Sequence, residues 1–175
     1  FESFRYSIEN PMVGQHLLSI ALSSVEDDYS MIVIDTPPSL GIFTQNGVVA
    51  ANHVLIPLML SKHTLSGLSN MYAFIKKATR LKVLDIQQEN FFLGVLIYAL
   101  DSRIPLQKEL KLKTEENFNT LKTIVPASSK MVGNITNSKS IFYNVSEDLR
   151  KTIIDLFMEI LEKSDVGTFE KNLSL

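Results

Sequence analysis

Asp35 is the side chain whose surroundings ask for chemistry. It closes the apolar run Met31, Ile32, Val33, Ile34 and opens the string D-T-P-P-S-L-G at residues 35–41. Four apolar residues in a row predict a short strand covered on both faces, as in parallel sheets. Ligands of such sheets bind beyond the carboxyl ends of the strands, where Asp35 falls. A buried carboxylate without a partner is costly, so an acid at a strand tip must face a wet cleft or a cation. Magnesium, directly or through water, is the natural cation beside phosphate groups. Pro37 and Pro38 fix two φ angles and stiffen the turn, and Gly41 lets the chain bend into the next helix. A plainer reading makes Asp35 a turn former or helix cap.

The other candidates carry less. His16, His53 and His63 have no metal-ligand spacing to one another, and Ser39 lacks the G-x-S-x-G setting of a hydrolase nucleophile. Glu26, Asp27 and Asp28 read as a solvated turn, and Met59, Met71 and Met158 as core filler. Lys108, Lys111 and Lys113 form a basic cluster that either contacts phosphates or is a solvated helix face. No interleaved aromatics suggest a single-strand stacking platform. The formal net charge of −2 excludes a global attraction to nucleic acid or anionic lipid. The absence of cysteine removes disulfides, thiolate metal sites and thiol nucleophiles.

The elements around Asp35 alternate. Helical spacing covers residues 12–25, an apolar strand 31–34, a short helix 41–51, a second strand 54–60 and a helix 64–80. A third strand follows at 91–99, a charged amphipathic helix at 104–118, a short fourth strand at 123–125 and a final helix at 147–163. Ser146, with Glu147 and Asp148 behind it, is the expected N-cap of that last helix. Residues 164–175 read as a frayed tail. The pattern predicts an α/β fold, a mostly parallel doubly wound sheet flanked by helices. At 175 residues and 45% hydrophobic composition, a single domain is expected over 1–175. No apolar run approaches the roughly 18 residues that span a bilayer.

I-V-I-D-T-P-P-S-L-G, followed by N-G-V-V-A-A-N-H-V-L-I-P, resembles the Walker B region of the ParA/Soj partition ATPases, deviant-Walker P-loop NTPases related to MinD. Gly47 stands where the family commonly has alanine, and Asn52 where it has aspartate. The resemblance continues through T-L-S-G-L at 64–68, L-G-V-L at 93–96, D-S-R at 101–103 and I-V-P at 124–126, so that it covers roughly residues 12–163. It implies a cytoplasmic ATPase that dimerises on ATP, binds DNA without sequence preference and serves plasmid or chromosome segregation with a ParB-like partner. Asp35 would be the Walker B acid, holding magnesium through water and ordering the attacking water. Thr36 and Pro37 would begin the segment that senses the γ-phosphate, and Pro126, Ala127 and Ser128 would border the adenine. Arg103, the arginine of the family's D-x-R, and Lys130, in place of a later arginine, would contact DNA.

One departure outweighs these matches. The family's phosphate cradle, K-G-G-x-G-K-T, does not occur, nor does any G-x-x-x-x-G-K. It would lie upstream of Phe1. The chain is therefore expected to be the C-terminal two-thirds of a ParA-like domain, inactive as an ATPase by itself. The alternative from another class is a non-catalytic ParA-like module that binds DNA or protein. A MinD-like ATPase fits less well, because the last helix carries Asp155, Glu159 and Glu162 instead of a basic membrane-binding face. The related bacterial tyrosine kinases end in a tyrosine cluster, and no tyrosine follows Tyr143.

Overall fold

A computed structural model describes residues 14–79 and 91–164. The chain divides into two compact units, Phe1–Asn52 with Gly67–Glu89, and His53–Ser66 with Asn90–Leu175.

In the first unit, α1 (Leu17–Leu22) packs against α2 (Ile42–Ala50). Asn46 joins them. Its side-chain amide donates to the Gly14 and Ile42 carbonyls, at 2.6 and 3.0 Å, and its oxygen accepts from the Leu18 backbone N–H at 3.0 Å. A buried amide so bonded leaves no orphan polar atom. The acids at 26–28 form a 3₁₀ turn, Glu26–Asp28, and are exposed. α2 lies one residue inside each end of the expected helix and buries Val48 and Val49. The helix α3 (Thr64–Thr79) begins in the second unit and continues in the first, where Leu68 and Ile75 are buried. Its expected last residue, Arg80, lies outside the described residues.

The expected strand at 31–34 is not formed. Residues 31–36 carry no strand or helix, and Val33 is 84% exposed. A strand exists only when its backbone groups meet a neighbouring ladder, and none of the described segments bonds to this backbone.

The second unit is built on a parallel pair, β1 (Val54–Met59) and β2 (Phe92–Tyr98). Pro57, which has no N–H to offer a ladder, sits exposed within β1. Register shifts by one residue at Gly94, because Val54 faces Phe92 while Leu55 faces Gly94. Gly94 has φ 137°, and a Cβ there would lie 3.0 Å from Leu121 Cδ1 and 3.1 Å from the Asn119 carbonyl. Glycine thus permits both the bulge and the close approach of the next segment. Val95 and Ile97 are almost fully buried, and Leu60, Ile97 and Leu110 form a core cluster flanked by Leu58, Leu65, Leu100 and Ile124.

A third segment, 119–127, runs parallel to β2 through isolated bridges at Thr120 and Pro126. Its ladder breaks in the middle because the N–H groups of Lys122 and Thr123 turn instead to the Glu159 carboxylate, at 2.7 and 2.8 Å. This diversion replaces the expected fourth strand at 123–125. Three helices complete the unit: α4 (Pro105–Asn117), α5 (Ser129–Thr136) and α6 (Glu147–Lys163). The expected cap of α6 is present, with Ser146 Oγ accepting from the Leu149 N–H at 3.3 Å. α5 was not expected from the sequence. Of the tail expected at 164–175, only Ser164 is described. Among the described residues, no helix is long and apolar enough to cross a membrane.

Candidate functional site

Asp35 is exposed, with no hydrogen bond or ion pair to any described residue. The turn after it is held from below. Thr44, 2% exposed on the first turns of α2, shares its hydroxyl proton between the carbonyls of Pro37 at 3.1 Å and Ser39 at 2.5 Å. The Ser39 N–H closes back on the Pro37 carbonyl at 2.7 Å. One helical turn further along, Gly47 gives the segment its seat. A Cβ at that position would lie 2.6 Å from Thr36 Cγ2 and 3.4 Å from Ile34 Cγ2. Thr36 therefore occupies space that the alanine of the resembling sequences would fill. Two prolines, one buried hydroxyl and one absent side chain together restrain the backbone that carries Asp35. Thr44 restrains this turn and was not singled out in the sequence, where Gly47 stood out only as a departure from the family's alanine. The two lie three residues apart on α2, on the face that meets residues 34–39.

This arrangement fits a magnesium–phosphate ligand better than an all-protein metal site. Magnesium keeps most of its waters and commonly takes one or two carboxylates plus phosphate oxygens. A single exposed aspartate on a stiffened turn can supply that share. No group of three His, Cys, Asp or Glu among the described residues could hold a metal ion by itself.

The remaining candidates lie in the second unit, at the carboxyl edge of its parallel strands. The chain leaves β2 through Ala99, which is left-handed at φ 53°, and reaches Asp101. Leu100 bridges to Pro126, and the Ala127 N–H donates to the Leu100 carbonyl at 2.9 Å. Pro126, Ala127 and Ser128 thus stand beside the segment leading to Asp101 and Arg103. Ser128 is engaged as the N-cap of α5, accepting from the Met131 N–H at 3.2 Å. Lys130 is exposed in the first turn of α5, a place where the helix dipole disfavours a cation.

Arg103 forks onto Asp101, Nε to Oδ1 at 2.9 Å and Nη2 to Oδ2 at 2.8 Å, and its own backbone N–H also donates to Oδ1 at 3.0 Å. The side-chain and backbone hydrogen bonds from Arg103 hold the Asp101 carboxyl down at about 2, and the same pairing raises the arginine. Within the basic cluster of α4, Lys111 pairs with Glu115 and Lys113 with Glu109, each one helical turn away. Lys108 makes no ion pair among the described residues. These i,i+4 pairs were legible in the spacing, and they leave the cluster largely neutralised.

A family model described as an AAA domain matches residues 3–90. The sporulation initiation inhibitor protein Soj of Bacillus subtilis is 29% identical over 146 residues, 82% of this chain and 56% of that protein. The chromosome-partitioning ATPase Soj of Treponema pallidum is 33% identical over 112 residues, 63% of this chain and 43% of its own length. The chain thus spans about half the length of the curated relatives it matches. Among solved structures, cobyrinic acid a,c-diamide synthase from Mycobacterium smegmatis aligns with TM-score 0.59 at 25% identity, over 77% of this chain and 54% of that one. A second structure of that synthase, with bound ADP and magnesium, aligns with TM-score 0.55 at 26% identity over 65% and 46% of the two chains.

Proposed function

The chain belongs to the ParA/Soj family of P-loop NTPases, and on that premise we propose that it is part of a DNA-partitioning ATPase. In this reading Asp35 holds magnesium through water and orients the water that attacks the γ-phosphate. Thr36 and Pro37 sense that phosphate, and Pro126, Ala127 and Ser128 border the adenine. Bound magnesium would neutralise charge on the transferring phosphoryl group. The chain's own work is positioning, since phosphoryl transfer depends mostly on geometry and electrostatics. The carrying observation is the exposed Asp35 on a turn tied down by Thr44 and seated on Gly47. The synthase structures with bound ADP and magnesium, and with a bound ATP analogue and magnesium, support the choice of ligand.

The reading extends to the whole protein. It acts in the cytoplasm as a homodimer formed on ATP, binds DNA without sequence preference through Arg103 and Lys130, and answers to a ParB-like centromere-binding partner. In this reading the chain supplies the C-terminal two-thirds of one α/β ATPase domain, and the phosphate cradle is not among its residues. The test is ATP turnover by the full-length protein and by its Asp35→Ala variant. Turnover should fall on the order of a hundredfold or more, the scale of losing a preorganised electrostatic group, while the thermal melt stays unchanged. Near-normal turnover in the variant removes Asp35 from the role. A reading frame that begins at Phe1 would instead favour the non-catalytic binding module.

A further inference from the structure

Arg103 is held in an unusual way for a side chain that is 89% exposed. Long surface cations normally sample many rotamers, and ordering one costs side-chain entropy. Here the order is supplied locally. Asp101 takes the Nε–H and one Nη2–H of the guanidinium, and its Oδ1 also takes the Arg103 backbone N–H. Asp101 is itself fixed, because its backbone N–H donates to Gln107 Oε1 at 2.7 Å, and its side chain is only 22% exposed. The Ile104 N–H closes the turn on the Asp101 carbonyl at 3.1 Å.

A guanidinium has five N–H donors in one plane. The fork with Asp101 uses one edge, Nε with Nη2. The opposite edge, Nη1 with the second proton of Nη2, is left facing away from the carboxylate. That edge matches two oxygens of one phosphate.

We infer that Asp101 is a positioning residue for DNA binding: it locks the Arg103 guanidinium so that the Nη1–Nη2 edge is presented, already oriented, to a backbone phosphate. The inference rests on the reading that Arg103 contacts DNA, and it deepens that reading. It also opposes simple charge counting. Asp101 adds a negative charge close to the phosphate, so Coulomb attraction alone makes its removal strengthen binding. Preorganisation makes its removal weaken binding, because the freed arginine must then be ordered at the moment of contact. Asp101→Asn separates the two. Asparagine keeps the oxygen that accepts the Arg103 backbone N–H, which preserves the turn, but replaces the second acceptor of the fork by an amide donor.

Full-length wild type, Arg103→Ala, Asp101→Asn and Asp101→Glu are titrated with ATP present against a short labelled duplex of mixed sequence at several salt concentrations. Arg103→Ala is expected to weaken binding and to flatten the plot of log K against log salt by about 0.9 per subunit that contacts the duplex, the share of one phosphate contact each. Asp101→Asn is expected to weaken binding at every salt concentration without steepening that slope, and Asp101→Glu, which keeps a carboxylate fork, to recover part of the loss. Binding strengthened in Asp101→Asn, with a steeper slope, overturns the inference and leaves Arg103 as a DNA contact. Unchanged binding in Arg103→Ala overturns the underlying reading itself. A readout without DNA guards against misfolding: the Arg103 Nε–H in free wild type should be rigid by nuclear relaxation and mobile in Asp101→Asn, and equal mobility in the two sinks the proposal.

Discussion

At the scale of single residues, the acid and its restraint come from different parts of the chain. The aspartate, the two prolines and the following glycine were legible at once, because each constrains backbone or charge wherever it stands. Thr44 was not, because a threonine in a helix has several uses and only the fold shows which carbonyls it meets. Its role has a clean test. Thr44→Val keeps the shape and removes the proton that the Pro37 and Ser39 carbonyls share. The expected cost is about 1 kcal/mol in urea unfolding, the net value of a neutral hydrogen bond. The Ser39 amide, bonded back to Pro37, should also exchange its hydrogen faster. Thr44→Ser restores the hydroxyl and should restore both. If valine leaves the exchange of the Ser39 amide unchanged, Thr44 does not hold the turn.

At the scale of elements, what was legible follows from how local each signal is. α6 was legible to both of its ends, because Ser146 caps it and the apolar spacing runs its whole length. β1 and β2 declared themselves by undiluted apolar runs. α5 stayed hidden: S-K-M-V-G-N-I-T contains a glycine and three β-branched residues, a poor helix former by propensity, and only the Ser128 cap marks its start. The broken third strand was also illegible, since it depends on Glu159, 36 residues away in sequence from Thr123. Burial pushes the Glu159 carboxyl up, but the N–H groups of Lys122 and Thr123, with the Thr123 side chain and Lys163, together bring it below its ordinary 4.5. A carboxyl depressed on folding stabilises the fold above its unfolded value and loses that contribution as pH falls through the folded one. Glu159→Gln is therefore expected to destabilise the protein by about 1 kcal/mol at neutral pH, the low end for a charged hydrogen bond that is partly solvated. The gap to wild type should narrow below pH 4.5. Urea melts of both proteins at neutral and acidic pH decide it; a gap that stays constant means the charge contributes nothing.

At the scale of the whole molecule, the run before Asp35 joins the question of function to that of stability. Residues 31–34 have the composition of a covered strand, yet Met31, Ile32 and Val33 are exposed and their backbone bonds to no other described segment. The chain spans about half of its curated relatives, and in the proposed function a phosphate cradle must come from elsewhere to face Asp35. An apolar segment whose backbone meets no ladder among the described residues offers a template for pairing with another chain. The 175-residue chain, prepared alone, is therefore expected to self-associate as its concentration rises. Val33 is the position to change, because at 84% exposure it makes few contacts to lose, and lysine on a strand edge resists pairing by its charge. Val33→Lys should shift the chain toward monomer in sedimentation velocity, with its far-ultraviolet circular dichroism unchanged. Association as strong as wild type, at the same concentrations, would place the adhesive surface elsewhere and leave the 31–34 run without a partner to seek.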